Sequence, residues 1–113
     1  MTAGNAAPRA IDRAEITILL DNSIDVFLKN SDEVRRAQVS TDYSWGERKA
    51  LIAEHGFSVM VTTHDNGETR RMLFDAGMTT HGLRHNLDVL ELTPDDFECI
   101  VISHGHVDHT PRA

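Results

Sequence analysis

The sequence has little of several residue types, and each shortage narrows the kind of protein it encodes. Only one of its 113 residues is a cysteine, Cys99, so no intramolecular disulfide can form and a reducing, cytoplasmic compartment is expected. Basic residues are outnumbered: 11 Lys and Arg against 18 Asp and Glu give a formal net charge of −7, which argues against nucleic acid as a partner. No apolar run approaches the roughly 20 residues that cross a bilayer, so no membrane partner is expected.

The residues that are present suit a small globular domain. Apolar residues make up 40% of the chain and charged residues 26%, a balance that argues against wholesale disorder. Residues 1–14 are rich in small residues and lack a hydrophobic signal core, so we expect a flexible leader there. Residues 15–113 would then form one domain or part of one.

The pattern of apolar residues predicts an α/β fold. Four runs of strand length are dominated by β-branched and apolar residues, at 16–20, 57–63, 70–75 and 99–103. Asn66-Gly67 lies between the second and third runs and predicts a hairpin. Leu83, Leu87 and Leu90 recur at helical spacing and predict an amphipathic helix from about residue 80 to 92. We therefore expect one mixed sheet with one or two packed helices.

Three further segments complete the predicted fold. Residues 50–54 are compatible with one or two helical turns ended by Gly56. Thr93-Pro94 has the pattern of an N-cap followed by proline at the first helical position, which predicts a second short turn. The run 99–103 lacks polar alternation, as is typical of a strand covered on both faces. Cys99 is accordingly interpreted as a small buried hydrophobe rather than a metal thiolate.

Three histidines and an aspartate follow directly after the last predicted strand, in His104-Gly105-His106-Val107-Asp108-His109. A loop that leaves a rigid strand end is where α/β scaffolds usually present their chemistry. In an extended loop, His104 and His106 point the same way and can hold one cation, while Asp108 and His109 can address a second. Imidazole and carboxylate suit zinc, and also manganese or iron. Two such ions would clamp a water between them and polarise a substrate oxygen.

The histidines also have a plainer interpretation. The cluster could be a solvated surface loop or a fragment of a histidine-rich tract, although its pattern and its place after an apolar strand both argue against this. For the other four histidines the plainer interpretation is the better one. We interpret them as ordinary surface residues rather than ligands: His55, His64, His81 and His85.

Two segments of the sequence resemble motifs of a known family. The segment 104–109 resembles the HxHxDH motif of the metallo-β-lactamase fold superfamily, and Phe74-Asp75-Ala76-Gly77 resembles the strand-ending D-x-G that precedes this motif. The order LLDN, GFSVMV, LFDAG, HNL and IVISHGHVDHT further resembles the dihydropterin–ribofuranosylaminobenzene phosphate synthase-like subgroup, over roughly residues 14–110.

The resemblance implies an αββα sandwich of two similar halves, with residues 15–113 as the N-terminal half. It implies two zinc ions, with His104 and His106 binding the first, and Asp108 and His109 the second. Asp108 would also orient the attacking water, and Asp75 would hold the ligand loop by hydrogen bonds. The implied activity is that of a metal-dependent hydrolase or transferase acting on a small-molecule substrate.

The chain also departs from the family pattern. The remaining ligands of a complete site, two histidines and a bridging aspartate, come from sequence well beyond the motif, and here only residues 110–113 follow it. We therefore expect an incomplete and, by itself, inactive fragment whose partner is a missing C-terminal half or a complementing chain. A metal-binding module completed by another chain and a non-catalytic remnant are the alternatives.

Overall fold

The structure, a computed structural model, describes residues 7–36 and 50–111. These residues form a four-stranded mixed sheet with an α-helix, which confirms the predicted α/β class. In chain order the elements are β1 (Arg13–Leu20), β2 (Ser58–Asp65), β3 (Glu68–Phe74), α1 (Thr80–Val89), a 3-10 turn (Pro94–Asp96) and β4 (Cys99–Val101). Within the described ranges, no helix has the length and apolar content needed to cross a membrane.

Strands β1, β2 and β3 form an antiparallel meander. The predicted hairpin between β2 and β3 is confirmed: Asn66 and Gly67 have φ values of 49° and 78°. Two successive residues with positive φ give a turn whose twist matches that of the flanking strands, which is why Asn-Gly is favoured there. The first strand begins at Arg13, inside the predicted leader, and residues 1–6 lie outside the described part of the chain.

Strand β4 pairs with β3 in parallel, and the connection between them carries α1. Such a crossover is needed because parallel neighbours cannot be joined by a tight turn. The C-terminal ends of the two strands therefore lie at the same end of the sheet. Asp75, which directly follows β3, donates its backbone N–H to the carbonyl of Val101 at the end of β4, at 2.8 Å. The predicted metal loop follows β4 and so begins at this end of the sheet.

Helix α1 packs on the sheet face that carries Met60 and Leu73, as the leucine spacing predicted. Leu83 and Leu87 are buried, and Leu90 is partly buried against the same cluster. The helix ends earlier than predicted because Glu91 adopts a left-handed φ of 57°. The core cluster consists of seven buried residues: Leu19, Leu20, Met60, Leu73, Ala76, Leu83 and Leu87.

The helical turns predicted at residues 50–54 are wrong, since this segment is irregular. Its backbone hydrogen bonds go to other parts of the chain. The N–H of Ile52 donates to Oδ1 of Asn86 at 2.9 Å, and Nδ2 of Asn86 donates to the carbonyl of Ile52 at 2.9 Å. Because the buried Asn86 side chain satisfies both groups, the segment does not need helical bonds of its own.

The prediction that the last strand is covered on both faces is also wrong, and so is the burial of Cys99. All three residues of β4 are exposed, with Ile100 exposed to 61%. The strand lies at the edge of the sheet, and α1 contacts β1 at the opposite edge. An apolar run shows that a strand suits burial, but it does not show which neighbour covers it.

Candidate metal centre

The predicted ligands lie together in one compact turn. The backbone N–H groups of His109 and Thr110 both donate to the carbonyl of His106, at 3.1 Å each, which folds the loop back on itself. The ring centroid of His104 lies 4.6 Å from that of His106 and 4.2 Å from that of His109. Oδ2 of Asp108 lies 3.5 Å from Nε2 of His109. The structure thus brings all three imidazoles and the carboxylate to the same place.

Asp75 joins this loop to the end of β3. It adopts a left-handed φ of 56° directly after the strand, and only 1% of it is exposed. Its Oδ1 accepts the backbone N–H of Ser103 at 2.7 Å, and its Oδ2 accepts the Ser103 hydroxyl at 2.7 Å and Nδ1 of His109 at 2.6 Å. The contact expected between Asp75 and the loop is therefore present.

The charge of Asp75 decides where the proton of His109 lies. Burial raises the pKa of the carboxyl, but hydrogen bonds from the Ser103 hydroxyl and amide and from His109 outweigh this effect and hold the pKa below its ordinary value. The carboxylate is therefore ionised at neutral pH and can only accept hydrogen bonds. Nδ1 of His109 therefore donates this hydrogen bond, and in the neutral imidazole the lone pair lies on Nε2.

The same reasoning extends to His104 through Ser103. The Ser103 hydroxyl has one proton, which it donates to Asp75. Its contact of 2.8 Å with Nδ1 of His104 must then be one in which the hydroxyl accepts, so Nδ1 of His104 donates and, in the neutral imidazole, Nε2 carries the lone pair. Ser103 was not predicted from the sequence, although its position directly before the first histidine was a usable signal.

The turn at residues 55–57 fixes the loop from a second side. The N–H of Phe57 donates to the carbonyl of Asp108 at 3.2 Å, and the N–H of Ala76 donates to the carbonyl of His109 at 2.9 Å. Gly56 has a φ of 155°, and a Cβ at this position would lie 2.8 Å from the backbone nitrogen of Met78 and 3.0 Å from the carbonyl oxygen of Asp108. Only glycine allows this close approach of two backbones.

One histidine interpreted as an ordinary surface residue lies at this site. Nε2 of His55 is 3.6 Å from Oδ2 of Asp108. The other three have their described contacts elsewhere: His64 contacts Glu15 at 3.3 Å, while His81 and His85 lie on α1 with ring centroids 6.3 Å apart. The sequence offered no reason to separate His55 from the other three.

The donors fit a zinc-type cation in kind. Imidazole nitrogen and carboxylate oxygen are its usual ligands, and two of the imidazoles have Nε2 available. Among residues 7–36 and 50–111, however, no three His, Cys, Asp or Glu side chains already enclose a common position for an ion. A catalytic zinc ion normally has three protein ligands, so the loop residues need further donors to complete such a site.

The comparison with known families decides the family. Residues 51–110, more than half of the chain, match the family model described as the metallo-beta-lactamase superfamily. The chain belongs to this superfamily. The matched range contains Asp75 and all four predicted ligands, so the family resemblance of the HxHxDH motif is confirmed.

Two curated relatives come from Methanocaldococcus jannaschii. The chain is 29% identical over 79 residues to the 7,8-dihydropterin-6-methyl-4-(beta-D-ribofuranosyl)-aminobenzene-5'-phosphate synthase, covering 70% of this chain and 26% of that protein. It is 41% identical over 61 residues to an uncharacterised protein, covering 54% of this chain and 22% of that protein. The chain thus spans about a quarter of the length of these two curated relatives. The similarity to the synthase confirms the resemblance to its subgroup.

Proposed function

We propose that this chain is part of a metal-dependent hydrolase or transferase, and that residues 104–109 hold two zinc-type cations. The observation that supports this most strongly is the chain of hydrogen bonds from His104 through Ser103 and Asp75 to His109. It holds a proton on Nδ1 of both imidazoles and leaves each Nε2 lone pair available. Carboxylate-supported imidazoles of this kind are typical of metal ligands.

The proposed ligands divide into two pairs. His104 and His106 would hold the first cation, and Asp108 and His109 the second, with zinc favoured and manganese or iron possible. The cations would supply Lewis acidity, which activates water and polarises a substrate oxygen. Asp108, whose carboxylate is partly exposed, would also orient the attacking water and accept its proton.

The substrate is proposed to be a small molecule. One relative bears the name of a synthase whose product carries a 5'-phosphate, which supports a transfer reaction alongside hydrolysis. Because that relative is about four times as long as the matched region, its substrate and reaction come to this chain only as a proposal. The proposed compartment is the cytoplasm, on the basis of the single cysteine.

A second candidate is a metal-binding module completed by another polypeptide. One observation favours it: in the described part of the chain, no three donor side chains surround one position. Each cation would have only two donors. We therefore expect the binding free energy of zinc to the 113-residue polypeptide to be smaller in magnitude than ~10 kcal/mol, the lower end for structural zinc sites. It would show no turnover of its own.

Calorimetric titration of the purified chain with zinc tests the proposal. We expect weak binding that His106→Ala reduces, because this substitution leaves the first cation with a single loop ligand. His64→Ala removes a histidine from a different part of the sheet and should leave the titration unchanged. No zinc binding in the unmodified chain would favour the non-catalytic remnant. Tight binding of two ions with turnover would show that the chain closes its own site.

A further inference from the structure

We propose that His55 is a third ligand of the cation held by Asp108 and His109. The proposal rests on the proposed function, since it adds a donor to the same centre. None of the family motifs identified in the sequence includes His55, and we interpreted it from the sequence as one of four ordinary surface histidines. The structure separates it from them because its ring approaches Asp108.

The distances around Asp108 fit donors that share one ion. Its Oδ2 lies 3.6 Å from Nε2 of His55 and 3.5 Å from Nε2 of His109. Two ligands of a tetrahedral zinc ion with bonds of about 2.0–2.2 Å lie about 3.3–3.6 Å apart, because the edge of a tetrahedron is about 1.6 times its radius. Both separations exceed those of a normal hydrogen bond between nitrogen and oxygen. Each separation is therefore compatible with a pair of donors that share one ion.

The backbone on both sides of His55 is fixed toward the site. On one side, Gly56 and Phe57 pack against the carbonyl of Asp108, with a hydrogen bond of 3.2 Å from Phe57. On the other side, the Glu54 carboxylate accepts the backbone N–H and the hydroxyl of Thr79, at 2.9 and 2.7 Å. The position of the His55 backbone relative to the loop is therefore set by contacts that do not involve its ring.

The ring itself can complete the coordination. The His55 side chain is 77% exposed, so its rotation breaks no tight packing. Among the described residues no three donors hold a common ion position, so the proposal requires the His55 ring to rotate toward Asp108 and His109. The second cation would then have the three protein ligands usual for a catalytic zinc.

An ion pair between His55 and Asp108 is the competing explanation, and it makes the opposite prediction. If His55 only contributes positive charge, its removal leaves the affinity for zinc unchanged or raises it. If His55 is a ligand, its removal lowers the affinity. The two explanations therefore differ in the sign of one measured change.

The test is a zinc titration of the full 113-residue chain and of two matched variants. We expect His55→Gln to lower the affinity of one site by at least about tenfold, as even the loss of a residue that supports a ligand has this effect. His64→Gln makes the same chemical change at the far end of β2 and should bind as the unmodified chain does. With cobalt(II) in place of zinc, His55→Gln should also change the visible absorption band that reports coordination geometry.

The ring resonance of His55 gives a readout without any substitution, which decides the matter if His55→Gln does not fold. We expect it to shift on addition of zinc at the same concentrations as the ring of His109. Zinc binding with an unmoved His55 ring, or with equal affinity in a folded His55→Gln variant, would overturn this proposal and leave the proposed function standing. If the unmodified chain binds no zinc at all, both proposals fail.

Discussion

Asp75 is the residue on which the hydrogen bonds of the site converge. It accepts three hydrogen bonds while almost fully buried, and a neutral side chain could not accept all of them equally well. Its left-handed backbone limits the substitutions that test its charge alone. Asparagine tolerates this conformation and keeps the shape of the side chain, whereas most other residues would add backbone strain.

We predict that Asp75→Asn weakens zinc binding by about 10–100-fold, because the amide no longer holds a proton on Nδ1 of His109 as firmly as the carboxylate does. Calorimetry measures the change, and thermal unfolding checks that the variant folds. Asp95→Asn makes the same exchange on the exposed 3-10 turn and should have no effect on affinity. Equal zinc affinity in Asp75→Asn and the unmodified chain would reduce Asp75 to a turn residue.

A second prediction concerns Ser103, whose hydroxyl connects Asp75 to His104. Ser103→Ala removes this connection but keeps the backbone hydrogen bond of 2.7 Å to Oδ1 of Asp75. We expect it to weaken the cation at His104 and His106 more than the other cation. Ser103→Thr keeps a hydroxyl, so the difference in affinity between the two sites should remain that of the unmodified chain. Equal weakening of both sites by Ser103→Ala would contradict the proposed proton order.

The sequence could predict the site residues that lie close together along the chain, but not those that only the packing of the fold brings to the site. The four proposed ligands are within six positions, so their chemistry and spacing were visible, and Asp75 followed from the family motif. His55 could not be distinguished from other surface histidines, because its contact with Asp108 depends on how two distant turns pack together. Ser103 was adjacent to the motif, yet its role depends on a carboxylate that β3 and β4 bring beside it.

At the scale of elements, the start of α1 is held by a residue from another segment. The Glu54 carboxylate accepts the backbone N–H groups of Met78 and Thr79, at 3.2 and 2.9 Å, and the Thr79 hydroxyl. Thr79 in turn caps the helix by accepting the N–H of Gly82. A carboxylate at this end of a helix is also favoured by the helix dipole. Glu54 therefore links the turn that carries His55 to the helix.

This link predicts a pH-dependent contribution to stability. Burial raises the pKa of Glu54, but hydrogen bonds from Thr79 and Met78 outweigh it and hold the pKa below its ordinary value of 4.5. A carboxyl whose pKa is lowered by folding stabilises the folded state above its unfolded pKa, and this contribution is lost as the pH falls through the folded pKa. Glu54→Gln should therefore lower the free energy of unfolding at neutral pH and flatten its decline in acid.

Urea unfolding at neutral pH and at several acidic pH values measures this effect. Glu91→Gln, at an exposed position after α1, is the control and should follow the pH dependence of the unmodified chain. If Glu54→Gln and the unmodified chain lose stability in parallel as the pH falls, the carboxylate does not hold the helix as proposed.

Asn86 performs a similar linking function in the core. Its side chain bonds to both backbone groups of Ile52 and donates to the carbonyl of Leu19 at 2.8 Å. Asn86→Leu keeps the branched shape of the side chain but leaves these buried groups without partners, so we expect a loss of about 3 kcal/mol in the free energy of unfolding. Arg84→Leu, on the exposed side of the same helix, should change it little. If Asn86→Leu lost less free energy of unfolding than Arg84→Leu does, these hydrogen bonds would not stabilise the fold as proposed.

Prediction of the elements succeeded where the signal was local and failed where it was not. The hairpin followed from Asn66-Gly67, and the helix followed from its leucine spacing. The helical turns at residues 50–54 were wrong because the Asn86 side chain takes the backbone hydrogen bonds of that segment. The apolar pattern of β4 indicated burial, yet a pattern in one strand carries no information about the layer that covers it.

At the scale of the whole molecule, the sheet has one face covered by α1 and a second face with exposed apolar residues. Ile16 and Ile18 of β1 are exposed to 62% and 58%, and they are paired through the register with Val61 and Val59 of β2. Apolar residues thus continue across this face. In the αββα sandwich that the family resemblance implies, a face of this kind packs against the second sheet.

We predict that the double substitution Ile16→Thr and Ile18→Thr reduces self-association of the 113-residue chain. Threonine retains the β-branched shape suited to a strand while removing apolar surface from water, so stability should change little. Light scattering measures association, and urea unfolding measures stability. Leu73→Thr, which changes a buried residue on the helix side, should instead destabilise the fold. Unchanged association in the double variant would show that this face does not drive it.

We propose that the buried Asp75 carboxylate fixes the position of the protons on His104 and His109, so that both rings can bind metal. Nitrogen-15 NMR of the histidine rings, before and after addition of zinc, measures this position. We expect His104 and His109 to carry their proton on Nδ1 in the metal-free chain, and zinc to shift their Nε2 resonances while leaving those of His64 unchanged. Protons on Nε2 of His104 and His109, or Nε2 resonances that zinc does not move, would contradict this proposal.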